Sequence, residues 1–212
     1  MTEDIKKVIS NLEKNLMKAY YVENKEQVVP LISSLVSGKE SVSAGGSVTL
    51  NECGVIDYLR NGKFNFLDRF KQGLSHQEKE KLFREAFLAD LYITSSNAIT
   101  LDGQLYNVDG NSNRIAAIAY GPEKVIVVAG INKIVKDMDE AVLRVKNIAA
   151  PKNCVRLNMN TPCAKLGHCI KNDTSYEGCN SPDKICCSRL VCGQQRYKDR
   201  ISVIIVGEEL GY

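Results

Sequence analysis

Apolar residues follow the helical period at the start of the chain and form short buried runs farther on. Between Ile5 and Leu16 they recur every three or four positions, which predicts an amphipathic helix. Uninterrupted runs such as KVIVVAG (124–130) and ISVIIVG (201–207) are typical of strands that are covered on both faces. Because such strands alternate with helical segments, the pattern predicts an α/β fold with a mostly parallel sheet and helices on both faces.

The same pattern divides the rest of the chain into elements of one domain, residues 1–212. Pro30 should kink or interrupt the second helix, since proline lacks an N–H. Residues 151–200 show little periodicity and predict a loop-rich insertion before the last strand. Strands are predicted at 19–23, 41–46, 64–68, 91–94 and 104–110, and helices at 25–36, 48–60, 75–89, 114–120 and 136–147.

Composition limits the class of protein. Hydrophobic residues make up 44% and charged residues 25% of the 212 positions, values that exclude a disordered chain. The longest apolar run, from Val125 to Ile131, is much shorter than the roughly 18 residues of a membrane helix. The first residues, MTEDIKK, lack the apolar core of a signal peptide. We therefore expect a cytoplasmic protein that does not contact a membrane.

Cysteine and positive charge are concentrated in one region. Seven of the eight cysteines lie between residues 154 and 192, and residues 142–200 carry 11 basic and 4 acidic side chains. In a cytoplasmic protein this clustering indicates metal or redox chemistry before disulfides. The region has no interleaved aromatic residues and no recognition motif, so we do not expect nucleic acid as a partner.

Two polar stretches are candidates for a binding site. Gly45, Gly46 and Ser47 join a predicted strand to a predicted helix, where backbone N–H groups could bind an anion. A tight turn explains them equally well. Residues 95–114 hold a dense set of amide, carboxylate and hydroxyl groups that suits a polar, phosphorylated or carboxylated ligand. Its candidate residues are Asn97, Asp102, Asn107, Asp109, Asn111, Asn113 and Arg114, although turn chemistry alone explains the Asp-Gly pair at 102–103.

The clustered cysteines could hold tetrahedral zinc or an iron–sulfur cluster, because both groups take four thiolates. No C-x2-C pair is present, so the spacing does not indicate a zinc ribbon. Nearby lysine and arginine residues should lower the thiol pKa values. Free buried cysteines or a disulfide are the alternatives, and His168 is an alternative ligand that is more simply a solvated loop residue.

Several long blocks resemble the LUD family of lactate-utilisation proteins, related to the C subunit of a bacterial lactate-oxidation operon. The similarity spans nearly the whole chain. The blocks are GGSVTLNECGVIDYL (45–59), SSNAITLDGQLYNVDGNSNR (95–114), GPEKVIVVAGINKIVKDMDEAVLRVKNIAAP (121–151), TPCAKLGHC (161–169), CNSPDKIC (179–186) and VIIVGEELGY (203–212).

This resemblance implies a Rossmann-like domain similar to the NagB, RpiA and CoA-transferase group. It also implies a role in oxidising lactate alongside iron–sulfur oxidoreductase subunits. Short members of the family carry four cysteines, which correspond here to Cys163, Cys169, Cys179 and Cys186. Residues 171–178 look like an insertion between the second and third of them, and the resemblance assigns no role to Cys154, Cys187 or Cys192.

Three functions follow from these expectations. The first is a protein of lactate or 2-hydroxy-acid oxidation, with a small-anion cleft and a four-cysteine site for a 4Fe–4S cluster or zinc that serves electron transfer or rigidity. The second, by analogy with the fold alone, is an enzyme that acts on a sugar phosphate or an acyl-CoA. The third is an accessory subunit with structural zinc and no chemistry of its own. A homo-oligomer is compatible with each of them.

Overall fold

A six-stranded, all-parallel sheet forms the centre of the computed structural model, which describes residues 1–212. Its central strands are the two long apolar runs, because only strands that are covered on both faces lack polar positions. The strand order is β1 (Lys18–Val22), β10 (Ile201–Val206), β7 (Lys124–Gly130), β4 (Leu91–Thr94), β2 (Ser41–Ala44) and β3 (Asn65–Phe66). The predicted mostly parallel α/β sheet is therefore confirmed.

Alternate residues of β7 belong to two different cores, one on each face of this sheet. Val125, Val127 and Ala129 pack in the core that contains α1 (Glu3–Lys14) and α6 (Asn113–Ala119). Ile126 and Val128 pack on the opposite face with three further helices. These helices are α2 (Val28–Leu35), α3 (Val48–Glu52) and α4 (Val55–Asn61).

A second, four-stranded sheet was not predicted. Its strand order is β8 (Ile134–Val135), β5 (Ala98–Thr100), β6 (Leu105–Asp109) and β9 (Ser188–Cys192). β5 and β6 form an antiparallel hairpin across the turn at Gly103, which packs directly against the backbone of Asn11 and Leu12. A small core joins this sheet to α7 (Met138–Arg144).

The predicted loop-rich segment is partly regular. A π-helical turn, Val145–Ala149, continues α7 into α8 (Ala150–Arg156), and a short α9 (Pro162–Leu166) follows. Residues 167–187 then run without helix or strand and carry three of the four family cysteines, until β9 pairs with β6. None of the helices is long and apolar enough to cross a membrane.

Three predicted elements differ in detail because local backbone chemistry decides their ends. Pro30 lies in the first turn of α2, after a 3-10 turn at Lys25–Gln27, so its missing N–H breaks no helical hydrogen bond. The predicted helix at 48–60 is two helices, since Gly54 adopts a left-handed φ of 68° between them. The predicted strand at 64–68 is limited to β3, while α5 (His76–Glu85) begins at the capping box of Ser75 and Glu78.

Candidate functional site

A cleft of about 360 Å³ lies at the carboxyl ends of the parallel strands. The chain enters it three times directly after a strand of the large sheet, at Ser47 after β2, at Ser95 after β4 and at Lys133 after β7. The end of β6 and the start of α6 form another wall, and α8 and Tyr212 close the side. Ligands of open α/β sheets bind at this edge, so the cleft is the candidate site.

The glycine turn is explained by packing rather than by a ligand. A Cβ atom on Gly45 would lie 2.5 Å from Oγ1 of Thr94, so only glycine allows β2 and β4 to end side by side. Ser47 Oγ accepts a hydrogen bond from the Leu50 N–H and begins α3. Gly46 and Ser47 line the cleft, whereas Gly45 lies behind them.

Arg114 is the centre of the polar network predicted between residues 95 and 114. Its side chain is only 12% exposed, and its ion pair with Asp109 is 2.8 Å long. Asp109 Oδ2 in turn accepts from the Ile115 N–H. All five guanidinium N–H groups have acceptors inside the protein, namely Asp109 Oδ1, the Ser95 carbonyl, Asn107 Oδ1, Asn97 Oδ1 and the Val108 carbonyl. Arg114 therefore has no N–H left for a ligand.

The structure brings together most of the predicted site residues. Asn107 is fully buried behind Arg114 and does not reach the cleft. Asp102 lies in the β5–β6 turn, where its carbonyl accepts a hydrogen bond from Asn15, and it does not line the cleft either. The residues that do line it are Gly46, Ser47, Asn97, Asp109, Asn111, Asn113 and Arg114.

Lys133 is a buried base in the wall of the cleft that the sequence interpretation missed. Only 3% of the residue is exposed, and its Nζ donates to Thr49 Oγ1 and Ser95 Oγ, each at 2.8 Å. It has no ion pair with a carboxylate. Burial, together with the positive charges of Arg144 and Arg114, lowers the pKa of Lys133 from 10.5 to about 7.

Arg69 is a second base without an acidic partner. Its guanidinium lies 4.3 Å from the ring centroid of Phe83 and 5.4 Å from that of Phe70, but it makes no hydrogen bond or ion pair with another residue. Burial and the nearby charge of Arg114 lower the pKa of Arg69. An arginine that lines a cleft with its N–H groups unused is suited to bind an anion.

The four family cysteines line one small, largely apolar cavity of about 30 Å³ beside the cleft. Cys154 lies outside this set, and its Sγ is 3.7 Å from that of Cys163. All eight cysteines are free, and no three His, Cys, Asp or Glu side chains are grouped closely enough to hold a metal ion. The cavity is lined by Cys163, Cys169, Cys179 and Cys186.

The pKa values of Cys154 and Cys186 shift in the direction opposite to the one predicted from local charge. Burial raises the pKa of Cys186 although Lys184 and Arg189 lower it, and burial raises that of Cys154 to about 11. Desolvation of a thiolate outweighs the nearby cations here. His168 is exposed, and its ring nitrogen lies 3.1 Å from the carbonyl oxygen of Cys169 rather than in the cavity.

A model of the LUD domain family matches residues 5–206. The chain belongs to the LUD domain family. The family resemblance carried by the sequence blocks is thus confirmed, and the chain is a lactate-utilisation family protein. None of the curated proteins compared with it matches. Among solved structures, it is similar to the crystal structure, at 1.70 Å resolution, of a DUF162 family protein from Deinococcus radiodurans, at 15% identity over 95% of this chain and 97% of that chain with a TM-score of 0.49.

Three cleft bases were missed by the sequence interpretation, namely Lys133, Arg69 and Arg156, and the first two differ in how clearly the sequence marks them. Lys133 follows the most strongly apolar strand of this LUD domain by three residues, so its position at the carboxyl end of β7 was a usable signal. Arg69 lies in an irregular segment after the two-residue strand β3, and nothing in its neighbourhood marks it. Its place in the cleft depends on tertiary packing alone.

We predict that Arg114→Lys destabilises this LUD domain by about 3–5 kcal/mol, because a lysine cannot replace the guanidinium fork and Asp109 loses its close partner. Urea unfolding measures the change. The matched control is Arg84→Lys on an exposed face of α5, where the arginine side chain is 72% exposed and the cost should be below about 0.5 kcal/mol. A loss at Arg114 no larger than that of the control would contradict the network described above.

We also predict a pH-dependent stability difference between the wild type and Lys133→Met. Between pH 7 and the ordinary pKa of 10.5, unfolded wild-type chains bind a proton at Lys133 that the folded protein does not bind. The contribution of Lys133 to the free energy of unfolding therefore increases as pH rises through this window. The charged or titratable groups acting on it are Arg144, Arg114, Glu52 and Cys53.

Urea unfolding of both proteins from pH 7 to pH 10 tests this prediction. The wild type should gain stability relative to Lys133→Met as pH rises, while groups that titrate in both proteins cancel from the comparison. Curves that stay parallel over the whole range would show that Lys133 has an ordinary pKa in the folded protein.

Proposed function

We propose that this LUD domain protein binds a small carboxylate metabolite in the cleft and takes part in the oxidation of lactate or a related 2-hydroxy acid. The observation that carries the proposal is the uncompensated positive charge of the cleft. Four basic side chains line it against one acidic side chain, and that acid, Asp109, is paired with Arg114. Arg69, Lys133 and Arg156 are left without a carboxylate partner.

A half-buried guanidinium without a counter-ion, such as that of Arg69, is stabilised when an anion joins it, and the same anion would favour the protonated form of Lys133. Arg69 has all its N–H groups available in the cleft, and Lys133 has one unused position on its nitrogen. The volume, about 360 Å³, lies at the small end of ligand pockets. A compact acid such as lactate or pyruvate suits this site better than an acyl-CoA.

The cysteine cavity supports a redox role because it adjoins the cleft. Cys186 lines both of them, and so do Val108, Val145 and Ala150. An electron carrier in the cavity would therefore lie one side-chain layer from a ligand in the cleft. Iron–sulfur oxidoreductase subunits are the partners we propose for electrons that leave this site.

The chemistry of the four thiols suits a metal group, although they must move closer together than the structure places them to bind one. Four free thiols around one cavity suit a 4Fe–4S cluster or zinc, and the irregular backbone of residues 167–187 allows them to approach one another. Cys163, Cys169, Cys179 and Cys186 would hold the group. An iron–sulfur cluster would supply one-electron transfer, whereas zinc would only stabilise the segment.

We predict that lactate or pyruvate stabilises the protein against heat. A ligand at about one hundred times its Kd adds ~2.7 kcal/mol to stability, which corresponds to about 5–10 °C in Tm for a chain of this size. Arg69→Met should bind about ten- to one-hundredfold more weakly, because it loses charge-assisted hydrogen bonds but keeps most of the packing on Phe83. Scanning fluorimetry measures both effects.

Arg84→Met, on the exposed face of α5, is the matched control and should keep the full shift. If sugar phosphates or coenzyme A raise Tm and neither lactate nor pyruvate does, the protein is better described as an enzyme that acts on a sugar phosphate or an acyl-CoA. The cleft assignment fails if Arg69→Met is protected as well as the wild type is.

We predict that protein purified without oxygen contains either on the order of four iron atoms with the broad visible absorbance of a cluster, or one zinc ion. Cys179→Ser should lose most of the metal because it removes one of the four ligands. Cys187→Ser is the matched control, since this neighbouring thiol is exposed and lies outside the cavity. Metal-free wild-type protein with unchanged thermal stability would contradict both metal assignments.

A further inference from the structure

The nitrogen of Lys133 has one position that no protein group satisfies. It donates to Thr49 Oγ1 and Ser95 Oγ, and these two hydroxyls donate onward to the carbonyls of Leu210 and Ser96. Because both hydroxyl protons are used elsewhere, neither hydroxyl can donate to the lysine. The amine is therefore held by two hydrogen bonds in the wall of the cleft, with its lone pair available when it is neutral.

The surroundings favour that neutral form. Arg114 and Arg144 lie close enough to disfavour a further positive charge, and the residue is buried. Glu52, the acidic group that opposes them, is bonded to the Gly211 N–H rather than to Lys133. A desolvated lysine beside other cations is the arrangement that makes an amine nucleophilic near neutral pH.

We propose that Lys133 is a nucleophile that forms an imine with the carbonyl carbon of a small 2-oxo acid bound in the cleft. The inference rests on the proposed anion site, and it narrows the ligand to the keto form of the acid. Arg69 would take the carboxylate, since none of its guanidinium N–H groups bonds to the protein and its ring stacking on Phe83 holds it in the cleft wall, and Lys133 would take the carbonyl.

The step balances without any further reactant. The amine nitrogen forms a bond to the carbonyl carbon, and the carbonyl oxygen takes up a proton to give a carbinolamine. Loss of the second amine proton and of that hydroxyl group then forms the C=N bond and releases one water molecule. Nothing is oxidised or reduced, and hydrolysis reverses the reaction.

Reductive trapping tests the proposal on the full chain. Protein is incubated with pyruvate and cyanoborohydride near neutral pH, digested and mapped by tandem mass spectrometry. We expect carboxyethyl-lysine at Lys133 as the dominant adduct. Acetone should label Lys133 at least about tenfold more slowly, because it has no carboxylate to form charge-assisted hydrogen bonds with Arg69.

The controls separate this inference from the proposed function. Exposed Lys136 in the wild type reports non-specific labelling. The variant Lys133→Arg keeps a basic group at this position, and its melting curve tests whether it folds. It should lose the dominant adduct, while pyruvate should still raise its Tm. Wild-type protein that pyruvate protects but does not label at Lys133 overturns the nucleophile and leaves the anion site standing. Labelling of Lys133 no faster than Lys136 overturns it as well.

Discussion

The closed hydrogen-bond shell of Arg114 is the interaction on which the rest of the site depends. One guanidinium joins the end of β4 through Ser95, the approach to β5 through Asn97 and the end of β6 through Asp109. These elements belong to two different sheets, so Arg114 fixes how the sheets meet at the carboxyl edge of the large one. Because each N–H of Arg114 has an acceptor, hydrogen bonds within the protein compensate for the desolvation of this buried cation. Arg114 therefore shapes the cleft without being available to a ligand.

That arrangement separates the bases of the cleft by role. Arg114 is neutralised by Asp109, which is also the only acidic side chain in the wall. Arg69 and Lys133 therefore face the cleft without counter-ions, one as an unused guanidinium stacked on Phe83 and the other as an amine whose pKa is about 7. One base is suited to bind a carboxylate and the other to react with a carbonyl. Both roles follow from the absence of neighbouring carboxylates rather than from any sequence motif.

Uninterrupted apolar runs were enough to predict β7 and β10, and their alternation with helical segments predicted the parallel sheet. The second sheet was missed since β5, β8 and β9 have two to five residues and gain their stability from pairing partners far along the chain. The polar density of residues 95–114 identified residues that line the candidate cleft, but it could not distinguish Asp102, which lies in a turn, from Asp109, which pairs with Arg114. No local sequence pattern marked Arg69. The set of four family cysteines was predicted from the family resemblance and not from the cysteine spacing.

The central claim about the site is that the ligand anion meets Arg69 and Lys133 while Arg114 keeps its protein partners. A crystal structure of the protein with bound pyruvate tests it most directly. We predict a carboxylate within hydrogen-bond distance of the Arg69 guanidinium, the carbonyl carbon at Lys133 Nζ, and an unbroken Arg114–Asp109 pair. A ligand carboxylate seated on Arg114 in place of Asp109 would contradict the account.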